Sequence, residues 1–403
     1  PVFVSSGIEI APIMMPLSEQ IYSFPALPYQ TFHVLPGLVA DSLPDKFGNA
    51  LIDTWLAREG RNPESFNPVE RLCYTGKRGM GALGFTPMMA TELEFFLFEK
   101  DYRTLQKEGY RELVPLSGHN EDYNLFQTTK EEGIMRPLRN HLVGAGIPVE
   151  NTKGEAELGQ QELNIRYADA LDCADNHTIA KHATKEIAWM NGRSASFLAK
   201  WAADKVGSSS HVHMSLWKDG EAAFFDKADA HGMSDLMKSF TAGLLKYARD
   251  YTFFLAPYIN SYKRFAKGTF APTKAVWSVD NRTAAYRLCG EGTKGVRMEC
   301  RVGGSDLNPY LAQAALLAAG IKGIEEGLTL DPPTKGDVYE SADVPEIPTS
   351  LREATETLDG SAMLREAFGD FVIDHYVRCA KWEQEEYDRV ITDWEIERGF
   401  ERV

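Results

Sequence analysis

The stretch Thr91-Glu-Leu-Glu-Phe-Phe-Leu-Phe98 decides the fold reading. Its alternation puts Glu92 and Glu94 on one face of a strand and Leu93 and Phe95 on the other, the period of a strand with one side on a core. Two buried like charges at that spacing repel each other, and a bound cation is the economical way to neutralise them. The bland reading is an edge strand with a solvated acidic face, and this segment alone does not decide between the two.

Three further segments share the design. In Ser210-His-Val-His-Met-Ser-Leu216, residues His211, His213 and Ser215 alternate with Val212, Met214 and Leu216, a half-buried strand presenting two imidazoles and a hydroxyl. In Arg297-Met-Glu-Cys-Arg301, residues Arg297, Glu299 and Arg301 share a face; a plain cross-strand ion pair would look the same. The glycine-punctuated run from Gly154 to Asn164 offers Glu155, Glu157 and Glu162 as candidate ligands on a loop entering a strand over 163–167. Separated arginines, Arg264, Arg282 and Arg287, suit bidentate grip on phosphate or carboxylate. This inventory fits two hard divalent cations held by oxygen with limited imidazole, and arginines neutralising a transferring phosphoryl group. No P-loop or Rossmann glycine motif is present, so metals and arginines would hold the nucleotide phosphates.

The chain's 403 residues, 43% of them hydrophobic, suffice for a large domain plus a smaller one. A formal charge of -15 argues against a nucleic-acid or anionic-membrane binder. Five scattered cysteines without a CxxC indicate neither a disulfide framework nor a thiolate zinc site, so a cytoplasmic location is expected. No apolar run is long enough to span a bilayer. Short strand patterns alternate with helical ones after Thr91, which reads as α+β. Asn308 with Pro309, and Ser350 with Glu353, carry N-cap signals, and the stretch from Ser350 onward is expected to be helical with a break near Gly360.

In combination these segments resemble the catalytic domain of glutamine synthetases over about 88–403. ELEFFLF, GQQE, GSSSHVHMSLW, NSYKRF, DNRTAAYR, RMECR and NPYLAQAALLAAG occur in that family's order. The resemblance implies an α+β fold with an antiparallel sheet lining the active site and a helical C-terminus. It implies that Glu94, Glu155 and Glu162 hold one metal and that Glu92, His211 and Glu299 hold a second. His213 and Ser215 fall at ATP-binding positions, and Arg282, Arg287 and Arg297 at phosphate-binding ones. Glu155, Gly207, Arg264 and Arg301 match substrate positions, with Arg264, Arg282, Glu299 and Arg301 expected to act in catalysis. The implied cofactors are ATP with Mg²⁺ or Mn²⁺. The implied reaction phosphorylates the γ-carboxylate of glutamate and lets an unprotonated amine attack the acyl phosphate.

Two departures point to the amine. Ammonia-using members carry a proton-accepting Glu where this chain has Phe270, and they tend to have Asn where it has Val206. Together with NEDYNLFQTTKEE and the Val-Gly-Gly after Arg301, Phe270 resembles the branch that glutamylates larger amines, including polyamines. A glutamine-forming enzyme with drifted pocket residues is the alternative.

Residues 1–86 have another texture and resemble the N-terminal part of HipA-type toxin kinases, through the stretches 32–48 and 71–83. A helix near 45–58 and incomplete packing of this fragment are expected. The small β-grasp domain that usually precedes this catalytic domain has no counterpart here. The family implies a homo-oligomer, and without a β-grasp domain a ring is not assured. A serine/threonine kinase fragment and a non-catalytic binding module are the rival functions.

Overall fold

The computed structural model describes residues 79–341 and 344–402. The expectations for the kinase-like stretch up to Arg78, including the helix near 45–58, lie outside these residues. Ten strands form one sheet: β1 (Thr86–Phe98), β2 (Val149–Gly154), β3 (Gln160–Ile165), β4 (Ala168–Asp169), β5 (Ser194–Ser196), β6 (Val212–Lys218), β7 (Glu221–Ala222), β8 (Trp277–Val279), β9 (Tyr286–Cys289) and β10 (Arg297–Cys300). The spatial order is β2-β3-β1-β6-β10-β9-β8, with β4 and β5 also on β1 and β7 on β6. All pairs are antiparallel except β8 with β9.

The register turns the sequence alternation into two surfaces. Met89, Met214, Met298 and Leu288 stand opposite one another on successive strands, and all four are buried in the main core. One residue along, the row reads Ala90, His213, Glu299 and Arg287. Because side chains alternate along a strand, the first row faces the helices and the second faces the site.

The helices are α1 (Tyr102–Lys107), α2 (Leu125–Lys130), α3 (Glu132–Gly144), α4 (Ala170–Met190), α5 (Asp235–Lys246), α6 (Ala248–Leu255), α7 (Ile259–Tyr262), α8 (Pro309–Glu325), α9 (Leu351–Asp359), α10 (Ala362–Phe368), α11 (Asp370–Asp388) and α12 (Asp393–Gly399). Leu93, Phe95 and Leu97 pack against α3 and α4 in a second core. A fully buried Leu or Phe there contributes roughly 1.5–3 kcal/mol. Helices α5 and α8 cross closely: a Cβ on Gly243 would lie 2.2 Å from the Ala319 carbonyl and 2.7 Å from Gly323 Cα.

The Asn308 side chain accepts from the backbone N–H groups of Tyr310 and Leu311 at the start of α8, as its N-cap position predicts. Ser350 caps α9 through Glu353 N–H, but Glu353 reaches back to Thr349 N–H at 2.9 Å, one residue short of a reciprocal box. The C-terminal helices break at Gly360 as expected, and again at Gly369, whose φ of +85° lies outside helical space. The passage from the 1–86 stretch to the catalytic-domain resemblance that starts near 88 falls within β1. Thr86 already pairs with Trp217, and Met80 is fully buried in the main core, so the packing of this unit reaches back past residue 88.

Candidate active site

Two groups of metal-competent side chains stand on the open face of the sheet. Glu92, His213 and Glu299 form one and Glu94, Glu155 and Glu162 the other; within each, one ligand atom per residue lies within 4.8 Å of the others. The first spans β1, β6 and β10. The second joins β1 to β3, where Glu94 and Glu162 are direct cross-strand partners, and to the turn that carries Glu155.

Glu92 lies between both imidazoles: Oε2 is 2.8 Å from His211 Nδ1, and Oε1 is 2.8 Å from His213 Nε2. This differs from the division of labour expected for the two histidines. They share a strand face across from Glu92, so His213, expected beside ATP, joins the acidic group together with His211, whose Nδ1 is also 3.4 Å from Glu299 and whose buried Nε2 has no hydrogen-bond partner. Glu299 is fully buried between Arg287 at 3.0 Å and Arg301 at 2.6 Å.

The two groups have opposite electrostatics. Burial disfavours ionised Glu92, but the hydrogen bonds from His211 and His213 outweigh it and hold the carboxyl far below the usual range. Burial likewise opposes ionisation of Glu299, yet Arg301 and the two imidazoles hold it at about 2. Burial, then the neighbouring Glu155, pushes Glu94 up to about 7. Glu162 is pushed up to about 9 by burial and by Glu92, Glu94 and Glu155. Three crowded carboxyls with one lysine nearby lack positive charge, and their oxygens are the donors that hard divalent ions take. The donor sets of both groups fit such ions, and the orphaned His211 Nε2 adds a nitrogen donor beside the first.

The arginines divide by role. Arg264 is 2% exposed and donates to the Val302 carbonyl at 2.8 Å, the Arg301 carbonyl at 3.0 Å and Ser209 Oγ at 2.8 Å. Its guanidinium is spent on the 301–302 backbone rather than turned outward, and burial pulls it down to about 10. Gly207 lies against it: a Cβ there would be 2.5 Å from the Ala199 carbonyl and 2.7 Å from Arg264 Cγ. Arg301 donates to the Arg282 carbonyl at 3.2 Å, and Arg297 to His213 Nδ1 at 3.2 Å. Arg287 also pairs with Asp280, and Arg282 is exposed.

Not every predicted residue joins the two groups. Ser215 Oγ accepts from Trp217 Nε1 at 3.1 Å. Glu157, a candidate ligand from its loop, instead pairs with Lys205 at 3.3 Å. Phe270 is 53% exposed with φ +57°, a left-handed conformation that strains a bulky residue.

Three participants escaped the sequence reading. Gln160 donates to Glu94 at 3.2 Å and to the Gly207 carbonyl at 3.1 Å, and Ser209 N–H donates to Glu94 at 2.7 Å. Lys153 pairs with Glu155 and Glu162. Strand parity with Glu162 could have flagged Gln160; the other two depend on cross-strand neighbours that the local sequence does not disclose.

The glutamine synthetase catalytic domain matches residues 77–399, and the HipA N-terminal domain matches residues 1–86. A γ-glutamylethanolamide synthetase of Streptomyces coelicolor is 42% identical over 362 residues, covering 90% of this chain and 77% of that protein. A glutamine synthetase of Thermus thermophilus is 35% identical over 92% of this chain and 83% of its own length. A glutamate–isopropylamine ligase of a Pseudomonas species is 34% identical over 78% of this chain and 70% of its own. The solved structure of GmaS in complex with ADP superposes with a TM-score of 0.75 at 25% identity, covering 82% of this chain and 77% of that one. Among the described residues no helix is long and apolar enough to cross a membrane. The chain belongs to the glutamine synthetase catalytic-domain family, the carbon–nitrogen ligases that depend on ATP and a divalent metal.

Proposed function

We propose that this chain joins the γ-carboxylate of glutamate to an organic amine through a γ-glutamyl phosphate, consuming ATP. One observation carries the reading: two three-residue metal-competent groups on one sheet face, one flanked by Arg287, Arg297 and Arg301. Bound there, two or more Mg²⁺ or Mn²⁺ ions would supply electrostatic stabilisation to the charge that develops on the phosphoryl oxygens. Glu94, Glu155 and Glu162 would hold one ion, and Glu92, Glu299 and the two imidazoles another. Arg282, Arg287 and Arg297 neutralise the phosphate oxygens, and Ser215 lies toward the nucleotide. Arg301 meets the glutamate substrate, while Arg264 and Gly207 set the backbone beneath it.

The amine assignment rests on Phe270. A phenyl ring accepts no proton and contacts hydrocarbon well, so it suits an alkylamine better than ammonia. The names of the Streptomyces and Pseudomonas relatives agree with that preference. Cys173, Cys289 and Cys300 are buried thiols spread over separate elements, and we infer a reducing, cytoplasmic location. We further propose that the protein works as a homo-oligomer.

The test is ADP release with glutamate and Mg²⁺ or Mn²⁺, comparing ammonia, ethanolamine, isopropylamine and polyamines. An organic amine should give the highest kcat/KM. Absence of any glutamate- and amine-dependent turnover would sink the reading, and preference for ammonia would restrict it to glutamine formation.

A further inference from the structure

The geometry points to Lys153 as a built-in counter-ion of the Glu94–Glu155–Glu162 group, one that competes with the divalent ion for that seat. Lys153 lies on β2, the outer strand on its side of the sheet, directly across from Glu162. Its ammonium pairs with Glu155 and stands 3.3 Å from Glu162 Oε1. One side chain thus engages two of the three carboxylates that would hold an ion. Divalent ions bind carboxylate oxygen at about 2.0–2.6 Å, so an ion seated there would draw on the same carboxylates that Lys153 engages and would be repelled by its ammonium at close range.

The side chain has somewhere to go. Lys153 is 30% exposed and carries four rotatable carbons. Its ammonium already lies 5.2 Å from the centre of the Tyr123 ring, a second seat that attracts a cation through the π face. Tyr123 is 67% exposed and adopts a left-handed backbone conformation, φ +51°. The ring stands within reach of the ammonium, so the lysine can exchange carboxylate contacts for the ring face. Lys153 acts in this way as a positioning residue: it keeps the carboxylates gathered before the ion arrives and lowers the ion's net affinity. The inference rests on the proposed divalent ion in this group.

The test is binding of Mn²⁺ alone to the full chain, without nucleotide or substrate, read from the free-ion signal in electron paramagnetic resonance. In Lys153→Met one class of sites should bind Mn²⁺ roughly tenfold tighter, because a unit positive charge within about 4 Å has gone, while the other class is unchanged. Lys153→Arg, which retains the charge, should bind as the parent does. Lys153→Gln, which keeps a polar end, should repeat the tightening if the Met variant does not fold. Unchanged or weaker binding in the neutral variants overturns the counter-ion role and leaves the ligase reading standing. No Mn²⁺ binding to the parent chain overturns the metal reading together with it.

Discussion

Glu92 and Glu94 are two residues apart on one strand face, yet the protein holds the first charged and pushes the second toward neutrality. Their own sequence context is nearly symmetric. The difference lies across the strands: Glu92 meets the imidazoles of the β6 segment, whereas Glu94 stands opposite Glu162 of β3. Like charges directly opposite one another destabilise a sheet, and opposite or hydrogen-bonding partners stabilise it. The Glu92–His213–Glu299 group is therefore assembled and compensated by protein charges alone, and the Glu94–Glu155–Glu162 group is left short of positive charge. One half of the site is held together before any ion arrives; the other depends on an ion to relieve its repulsion.

The largest effect should come from the compensated group. Glu299→Ala leaves Arg287 and the buried Arg301 without their carboxylate, which costs about 3–5 kcal/mol of stability, and it should lower kcat/KM by at least about a hundredfold. Thermal melts and steady-state kinetics measure both, and near-parental activity would dissolve the comparison. Next comes metal removal. An ion that binds only the folded state at about a hundred times its Kd adds roughly 2.7 kcal/mol, so EDTA should lower Tm and Mn²⁺ should restore it. A Tm indifferent to both would mean that the uncompensated group holds no ion.

A smaller effect of opposite sign is expected in the second group. Glu162→Gln removes one of three crowded carboxyls, so the chelated protein should gain about 1 kcal/mol while losing the Mn²⁺ stabilisation. Destabilisation of the chelated variant would show that the repulsion is already relieved in the parent. The smallest effect belongs to Glu157→Ala. Its partner is the half-buried Lys205, so the loss should be about 0–1 kcal/mol with Mn²⁺ affinity unchanged. A drop in affinity would move Glu157 into the acid group.

Much of this was legible in the residues. Alternation in 91–98 and 210–216 announced strands with chemistry on one side, and β1 and β6 pair side by side with that face in common. The N-cap signals of Asn308 and Ser350 mark helix starts, because capping is settled within a few residues of chain. What escaped depended on contacts distant in sequence. Glu157 lies two residues beyond Glu155 in the same loop, yet it is drawn to Lys205, 48 residues away, while Glu155 joins Glu94 and Glu162. Arg264 reads as a grip for substrate until the fold places the 301–302 carbonyls around it.

The order of motifs along the chain, the one-sided strands and the family they belong to follow from the sequence itself, since strand parity and capping are local properties. Which carboxylate the two histidines meet, which arginine is spent on backbone carbonyls, and which carboxylate is short of a cation were decided only by the register of β3, β1, β6 and β10. Charge balance in a buried site is set by neighbours across the sheet, and those neighbours exist only once the sheet has formed.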